Sequence, residues 1–572
     1  MRKGSMQRHL GRGRWPCFTP GGAASDGERR LCYSDAMRTP NAGFKLSELM
    51  LVLAILAQPW VAVGQERRAT PVAENAVAAP AVAPAPLAVD YRCDGPATLF
   101  WLASALSGDP LLEAHPWQLW WAAHPGATRA DRDREEAALA IFGRLRATYR
   151  GPLRSAKSRS NGWVPVPPPS SQRLDVLFAE LFLGARDGTE LLKRAEPLLT
   201  ERDRADLQQL AAVWLPKLAS ASTEDGDACG FAKSFEVYAR QNGLDTFLGK
   251  AATLFRAPSG GAVTVQFVRA AGGKSLRGRR VGDYLVVEVR PDQRPQHRGD
   301  VVAHEVCHWL QERGGMEDDP DLIDALFATA DKRAAQAWEL LAEGTATALG
   351  QGLWAAIALR SSGGPIGANP GAQVESARAQ SPLGEKVPEQ RRWYEDDQID
   401  PYAKALAPFL AHALRQGAQL NSLVPEILAA VPPSAGSVAA TLRRYVLLSD
   451  HRDSPWMAKT WFAQVPPRAV WRADLRDALG WATGAKAASL VVVATWGELG
   501  RLERAQMGIA APPPKWARTS AVFSGERAGG ARLLVVVAPT TERLGEAAAT
   551  VAGGSWPAAG WTLALRPQAK GQ

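Results

Sequence analysis

Residues Asp300 to Leu310 read DVVAHEVCHWL, and this run constrains the fold more than any other stretch of the chain. Its apolar residues recur at helical spacing. His304 and His308, four apart, therefore share one face of a helix and can reach a single metal ion from adjacent turns. Glu305 projects about 100° around the axis from His304, beside the open position of such an ion instead of onto it. Val301, Val302 and Ala303 make the start of this helix apolar, so it must be buried, and Cys307, rotated away from the histidines, reads as a small apolar core group. Two histidines do not hold a catalytic metal, so a third ligand has to come from another element. With eight histidines in 572 residues, a chance H-E-x-x-H is expected at roughly 0.01 per chain, which weighs against two ordinary surface or capping histidines.

The neighbouring pattern is α+β. A helix (GFAKSFEVYARQNG), a β-branched strand (AVTVQFVRA), a Gly/Arg-rich turn (GGKSLRGRRVGD) and a second strand (YLVVEVRP) lead directly into the histidine helix. A further helix, AQAWELLAEGTATALGQGLW, offers Glu339 and Glu343. Here the chain resembles the gluzincin-type zinc metallopeptidases, thermolysin-like in their core, in which H-E-x-x-H is followed on a later helix by a ligating glutamate, often in an E-G-x-A setting. Glu343-Gly344-Thr345-Ala346 matches that setting, and Glu339, one turn earlier, is its competitor. The resemblance covers Phe231 to about Leu353. It implies a zincin-like catalytic domain with a small antiparallel sheet, Zn2+ held by His304, His308 and Glu343, Glu305 as general base, and a peptide or protein substrate. Gly344 and Ala346 would let the second helix approach the first, and Tyr284 to Arg290 would be the edge strand beside the cleft. Two departures count. Thr347 stands where related enzymes often carry an Asp that orients a histidine, and no Asn-Glu dipeptide precedes the ligand, which argues against the thermolysin family proper. For the donor to the transition-state oxyanion, Tyr394, Tyr402, His412 and His451 all remain open.

The rest of the chain divides by composition. Residues 1–64 read as a leader whose true start is Met37, with a basic region, an apolar core from Leu49 to Ala57, the breaker Gln58-Pro59, and a cleavage after Gly64. Residues 65–90 are an Ala/Pro-rich tether. Residues 91–225 form a helical region in which Trp117, Trp120 and Trp121 are core, 226–420 the metallopeptidase domain, and 421–485 a second helical region. Residues 486–572 alternate strand, helix, strand, strand, helix, strand, which is the order of a ferredoxin-like βαββαβ module. The chain is therefore expected to be exported, to the periplasm or beyond, with no stable membrane span in its mature part. Gly43-Phe44-Lys45-Leu46-Ser47-Glu48-Leu49 also resembles a type IV prepilin processing site, which keeps a pilin-like structural component as a rival. A zinc site without catalysis, stabilising a binding protein, is the other.

Charge argues against a nucleic-acid partner. The formal +9 includes nine basic and four acidic residues in the first 64, so 58 basic and 54 acidic residues share all that follows, a balance too small for a phosphate-binding surface. Removing the leader leaves Cys93, Cys229 and Cys307. The first two sit in turn-like Gly-containing contexts at the borders of the helical region, and in an oxidising compartment they are expected to pair.

Overall fold

The computed structural model describes residues 87–564, apart from 110–111, 113, 124–127, 152, 154–158, 167, 225–227, 259–260, 271–276, 362–391, 434–435 and 466–468. The leader, the prepilin-like site, most of the tether and residues 362–391 of the expected metallopeptidase domain lie outside the described residues. Strand β1 (Ala88–Arg92) opens the fold and takes its first three residues from the stretch read as tether. Helices α1 (Gly95–Leu106), α2 (Ala114–Ala123) and α3 (Arg129–Thr148) follow. Thr128 starts α3 with a capping box: its hydroxyl accepts from the Asp131 amide and its own amide donates to the Asp131 carboxylate. After the short pair β2 (Arg159–Ser160) and β3 (Pro165–Val166) come α4 (Leu174–Leu183), α5 (Gly188–Ala195), α6 (Glu201–Glu224), α7 (Ala228–Asn242) and α8 (Leu244–Leu254). Trp117 and Trp120 are buried as expected, while Trp121 tilts on Trp214 and donates to Glu135.

Strands β4 (Ala262–Arg269), β5 (Gly278–Val281) and β6 (Tyr284–Val289) complete a four-stranded sheet with order β1-β4-β6-β5. The sheet is mixed, not antiparallel: β1 and β6 both run parallel to β4, and only β5 runs antiparallel, to β6. Its two faces are both covered. Val268, Val281 and Val286 pack into the cluster of α1 to α6, while Val263, Val265, Phe267, Leu285, Val287 and Val289 pack into the cluster that holds the histidine helix. Burial on both faces explains the near-continuous apolar run LVVEV in β6. It also places β6 inside the sheet, so the expectation that Tyr284 to Arg290 is the edge strand is overturned. The edge is β5, inside the segment read as a turn, where Gly282, with φ 58°, opens a two-residue connection to β6.

Beyond the sheet come α9 (Gly299–Arg313), which carries the histidines, α10 (Pro320–Phe327) and α11 (Ala334–Thr347). The latter runs without a break through a π-helical turn, Ala348–Trp354, into α12 (Ala355–Ser361). Helix α13 (Ile399–Gln416) packs across α11.

The C-terminal part differs most from expectation. It is a six-stranded sheet of order β12-β10-β11-β9-β7-β8, built from β7 (Arg444–Leu448), α14 (Pro455–Gln464), β8 (Ala469–Ala473), α15 (Ala478–Gly484), β9 (Ser489–Thr495), α16 (Trp496–Leu499), β10 (Ala521–Glu526), β11 (Arg532–Ala538), α17 (Thr541–Ala552) and β12 (Gly560–Leu563). Strands β7 and β8 come from the stretch read as purely helical. A short continuous apolar run such as YVLL has no alternation and cannot be told from a buried helix segment by periodicity. The ferredoxin-like order is not found, because β12 pairs with β10 and β9 is flanked by β7 and β11, both parallel to it. Helices α14 and α17 cover one face and α15 and α16 the other. No helix among the described residues is long and apolar enough to cross a membrane.

Cys93 and Cys229 are joined as expected, their Cα atoms 5.1 Å apart, and Cys307 is free and buried. The bond ties the end of β1 to the start of α7 across 136 residues. Replacing both cysteines by serine is expected to lower unfolding stability by about 2–5 kcal/mol, read by urea denaturation. Thiol titration of the unreduced, unfolded chain lacking residues 1–64 should find one thiol, and three would refute the bridge.

Candidate metal centre

His304 and His308 stand on adjacent turns of α9 with their Nε2 atoms 3.1 Å apart. Glu343, reaching across from α11, places Oε2 3.7 Å from the first and 3.5 Å from the second. The three residues expected as ligands are thus brought together, with ligand atoms all within 4.8 Å of one another.

Each imidazole is pinned from behind. His308 Nδ1 is 3.0 Å from Gln311 Oε1, and the amide nitrogen of that glutamine donates to Ala342 O at 2.9 Å and Thr345 Oγ1 at 2.7 Å. With its nitrogen so used, the Gln311 oxygen can only accept, so His308 carries its proton on Nδ1 and turns the Nε2 lone pair to Glu343. His304 Nδ1 lies 3.0 Å from Gln351 Oε1 in the same way. Two nitrogen lone pairs and a carboxylate oxygen then face one another, and Glu343 Oε2 is buried with no hydrogen-bond partner. Such a trio repels itself unless a cation sits within it. Tetrahedral zinc with bonds of about 2.0–2.1 Å separates its ligand atoms by about 3.3 Å, close to the spacings found, so the donor set fits such an ion.

The electrostatics of the trio favour positive charge at its centre. Burial opposes charge on Glu343, but His308, His304 and the Tyr394 hydroxyl outweigh it and hold the carboxyl well below its usual range. Burial lowers the affinity of His304 for a proton, assisted by His308. At His308 burial acts the same way, yet Glu343 outweighs it and raises the pKa.

The π-helical turn is what lets Gln351 reach its histidine. A Cβ on Gly350 would lie 2.6 Å from Asp300 O and 2.7 Å from the His304 amide, so only glycine permits this approach to α9. Gly344, expected to serve that contact, faces Tyr402 of α13 instead, where an added Cβ would lie 2.3 Å from the ring. Thr347, the expected partner of a histidine, is buried with its hydroxyl unpaired. The two glutamines do the work expected of it. Their only sequence signal is a polar residue on an apolar helix face, three after His308 and in the small-residue run LGQGL.

Glu339 faces away from the trio. It accepts a 3.1 Å hydrogen bond from Ser489 at the C-terminal sheet, and burial pushes its carboxyl up to about 8. Glu305 lies against the edge strand, where a Cβ on Gly278 would be 3.1 Å from its Cγ. Of the four candidate oxyanion donors, Tyr394 is at the centre, its ring stacked 6.1 Å from that of His304. Tyr402 is core, and His451 pairs with Glu498 in the C-terminal sheet. Comparison of the chain with protein-family models, curated proteins and solved structures returns no match.

Gln311→Ala and Gln351→Ala are each expected to weaken Zn2+ binding about 10–100-fold, measured by competition with a chelating dye. Because the His308 proton is held more tightly than usual, affinity should fall as pH falls, the proton displacing the metal. An affinity independent of pH would contradict the assignment.

Proposed function

We propose that this chain is an exported, zinc-dependent peptidase of the gluzincin type, with His304, His308 and Glu343 as ligands and Glu305 as general base. The observation that carries the reading is the trio of unshared electron pairs with a carboxylate on the adjacent helix position, against an open sheet edge. Zinc bound there would act as a Lewis acid and bring the pKa of a water towards neutrality. Glu305 accepts the proton of the attacking water and passes it to the leaving amine. Tyr394 supplies the donor for the oxygen that becomes negative as the carbonyl is attacked.

The substrate reading moves to β5. Val281 and Tyr284 are a register pair at the two-residue turn, and the pairing alternates from there. The backbone groups of Gly278 and Arg280 therefore point away from β6, and no strand among the described residues covers that edge. An extended peptide can add there as a further strand, its scissile bond carried past Glu305. The Cys93–Cys229 bridge supports export, since disulfides persist in oxidising compartments.

Glu305→Gln is expected to keep one zinc per chain and to lower casein hydrolysis at least about 10²-fold. Retained zinc with no hydrolysis by the wild type would favour a binding protein built on an inert zinc site, and no zinc at all would end the reading. Arg280→Pro removes an outward N–H from β5 and should raise KM with zinc content unchanged. If KM does not move, β5 is not the binding edge.

A further inference from the structure

Arg443 precedes β7 and is almost fully buried, at 7% side-chain exposure. Its guanidinium spends every nitrogen on one segment. Nη1 and Nη2 bind the two Asp396 oxygens at 2.7 and 2.6 Å, and Nε donates to Gln398 Oε1 at 3.2 Å. The same Asp396 carboxylate accepts from the Gln398 and Ile399 amides at 2.9 and 3.2 Å, so it also heads α13. Two residues earlier is Tyr394. Its amide and that of Trp393 donate to Asp400 Oδ1 at 3.2 and 2.6 Å, and the Trp393 ring closes on Gly352 of the π-helical turn. The segment 393–396 is therefore held on one side by α13, on a second by the π-helical turn, and on the third by Arg443 at the start of the C-terminal sheet.

We propose that the C-terminal sheet is a working part of the metal centre, with Arg443 the positioning residue that, through Asp396, holds Tyr394 against His304 and Glu343. A bidentate arginine–carboxylate pair fixes both distance and plane, which a lysine cannot do. Asp396 and Tyr394 are close enough in the chain for that plane to set where the tyrosine hydroxyl lies. The sheet side is equally firm: Tyr445, Val446, Leu447 and Leu448 of β7 are fully buried, and Arg444 pairs with Glu317. Arg443 touches no substrate in this scheme. It acts through Tyr394, and the catalytic meaning rests on the peptidase reading above.

The test uses the full chain with zinc and carries two readouts. In hydrogen–deuterium exchange, Arg443→Met and the isosteric Asp396→Asn should each speed exchange at the Trp393 and Tyr394 amides about tenfold, with α9 and β7 unchanged. In casein hydrolysis, each should lower kcat about 10–100-fold with KM and zinc stoichiometry unchanged, and Arg443→Lys should not restore it. Combined with Tyr394→Phe, neither should cost anything further, because both act through the same hydroxyl. Unchanged exchange at 393–394, or losses that multiply in the double variants, would overturn the proposal. If wild type hydrolyses no peptide, the peptidase reading falls, while the exchange result still decides whether Arg443 holds Tyr394.

Discussion

Two imidazole nitrogens held 3.1 Å apart, each with its other nitrogen committed to a glutamine oxygen, set the terms for everything around them. Left to themselves such groups would turn apart or share a proton. Keeping them in place takes a buried helix, a carboxylate aimed between them, and second contacts that fix which nitrogen bears hydrogen. Helix α9 is locked beneath the four-stranded sheet by Val302, Val306 and Leu310, all fully buried. Helix α11 brings Glu343, and the π-helical turn brings Gln351 because Gly350 lets the backbones meet. A turn with one extra residue re-aims a side chain without ending the helix, which is why such turns recur at functional sites.

The sheet contributes through its edge. Because helices cover both of its faces, β6 is buried and fully paired, and among the described residues the strand that can offer unpaired backbone groups beside Glu305 is the short β5. Arg298, buried at the start of α9, donates to Arg277 O at 3.1 Å and anchors that strand to the histidine helix. Gly278 then allows β5 to lie directly on Val301 and Glu305. The spacing between β5 and α9 is thus set by one glycine and one buried arginine, neither of which belongs to the His304, His308 and Glu343 trio.

The C-terminal sheet is bound to this centre by polar contacts as well as by packing. Glu339, its carboxyl pushed up to about 8 by burial, accepts from Ser489, and Arg443 clasps Asp396. Glu339 lies on α11, which also carries Glu343, and Asp396 heads α13, which packs across α11. The sheet itself winds helices onto both faces, with the strand order reversing beside β7, the strand that Arg443 precedes.

The spacing of His304, Glu305 and His308 is local, a consequence of 3.6 residues per turn, so the helix and its polar face were legible in the sequence. So were Glu343, whose E-G-T-A setting distinguished it from Glu339, and the pairing of Cys93 with Cys229. Strand partnership was not legible, because a run such as YLVVEV looks the same whether its neighbours are one strand or two, and the continuously apolar YVLL could equally be a buried helix segment. Nor could the sequence choose Tyr394 over Tyr402, or find Gln311, Gln351 and Arg443, since each acts across a contact between elements far apart in the chain. Local geometry determined which side chains could face a metal. Only the packing of α9, α11, the π-helical turn and the two sheets decided what holds them there, because hydrogen-bond partners and close backbone approaches are properties of the assembled fold.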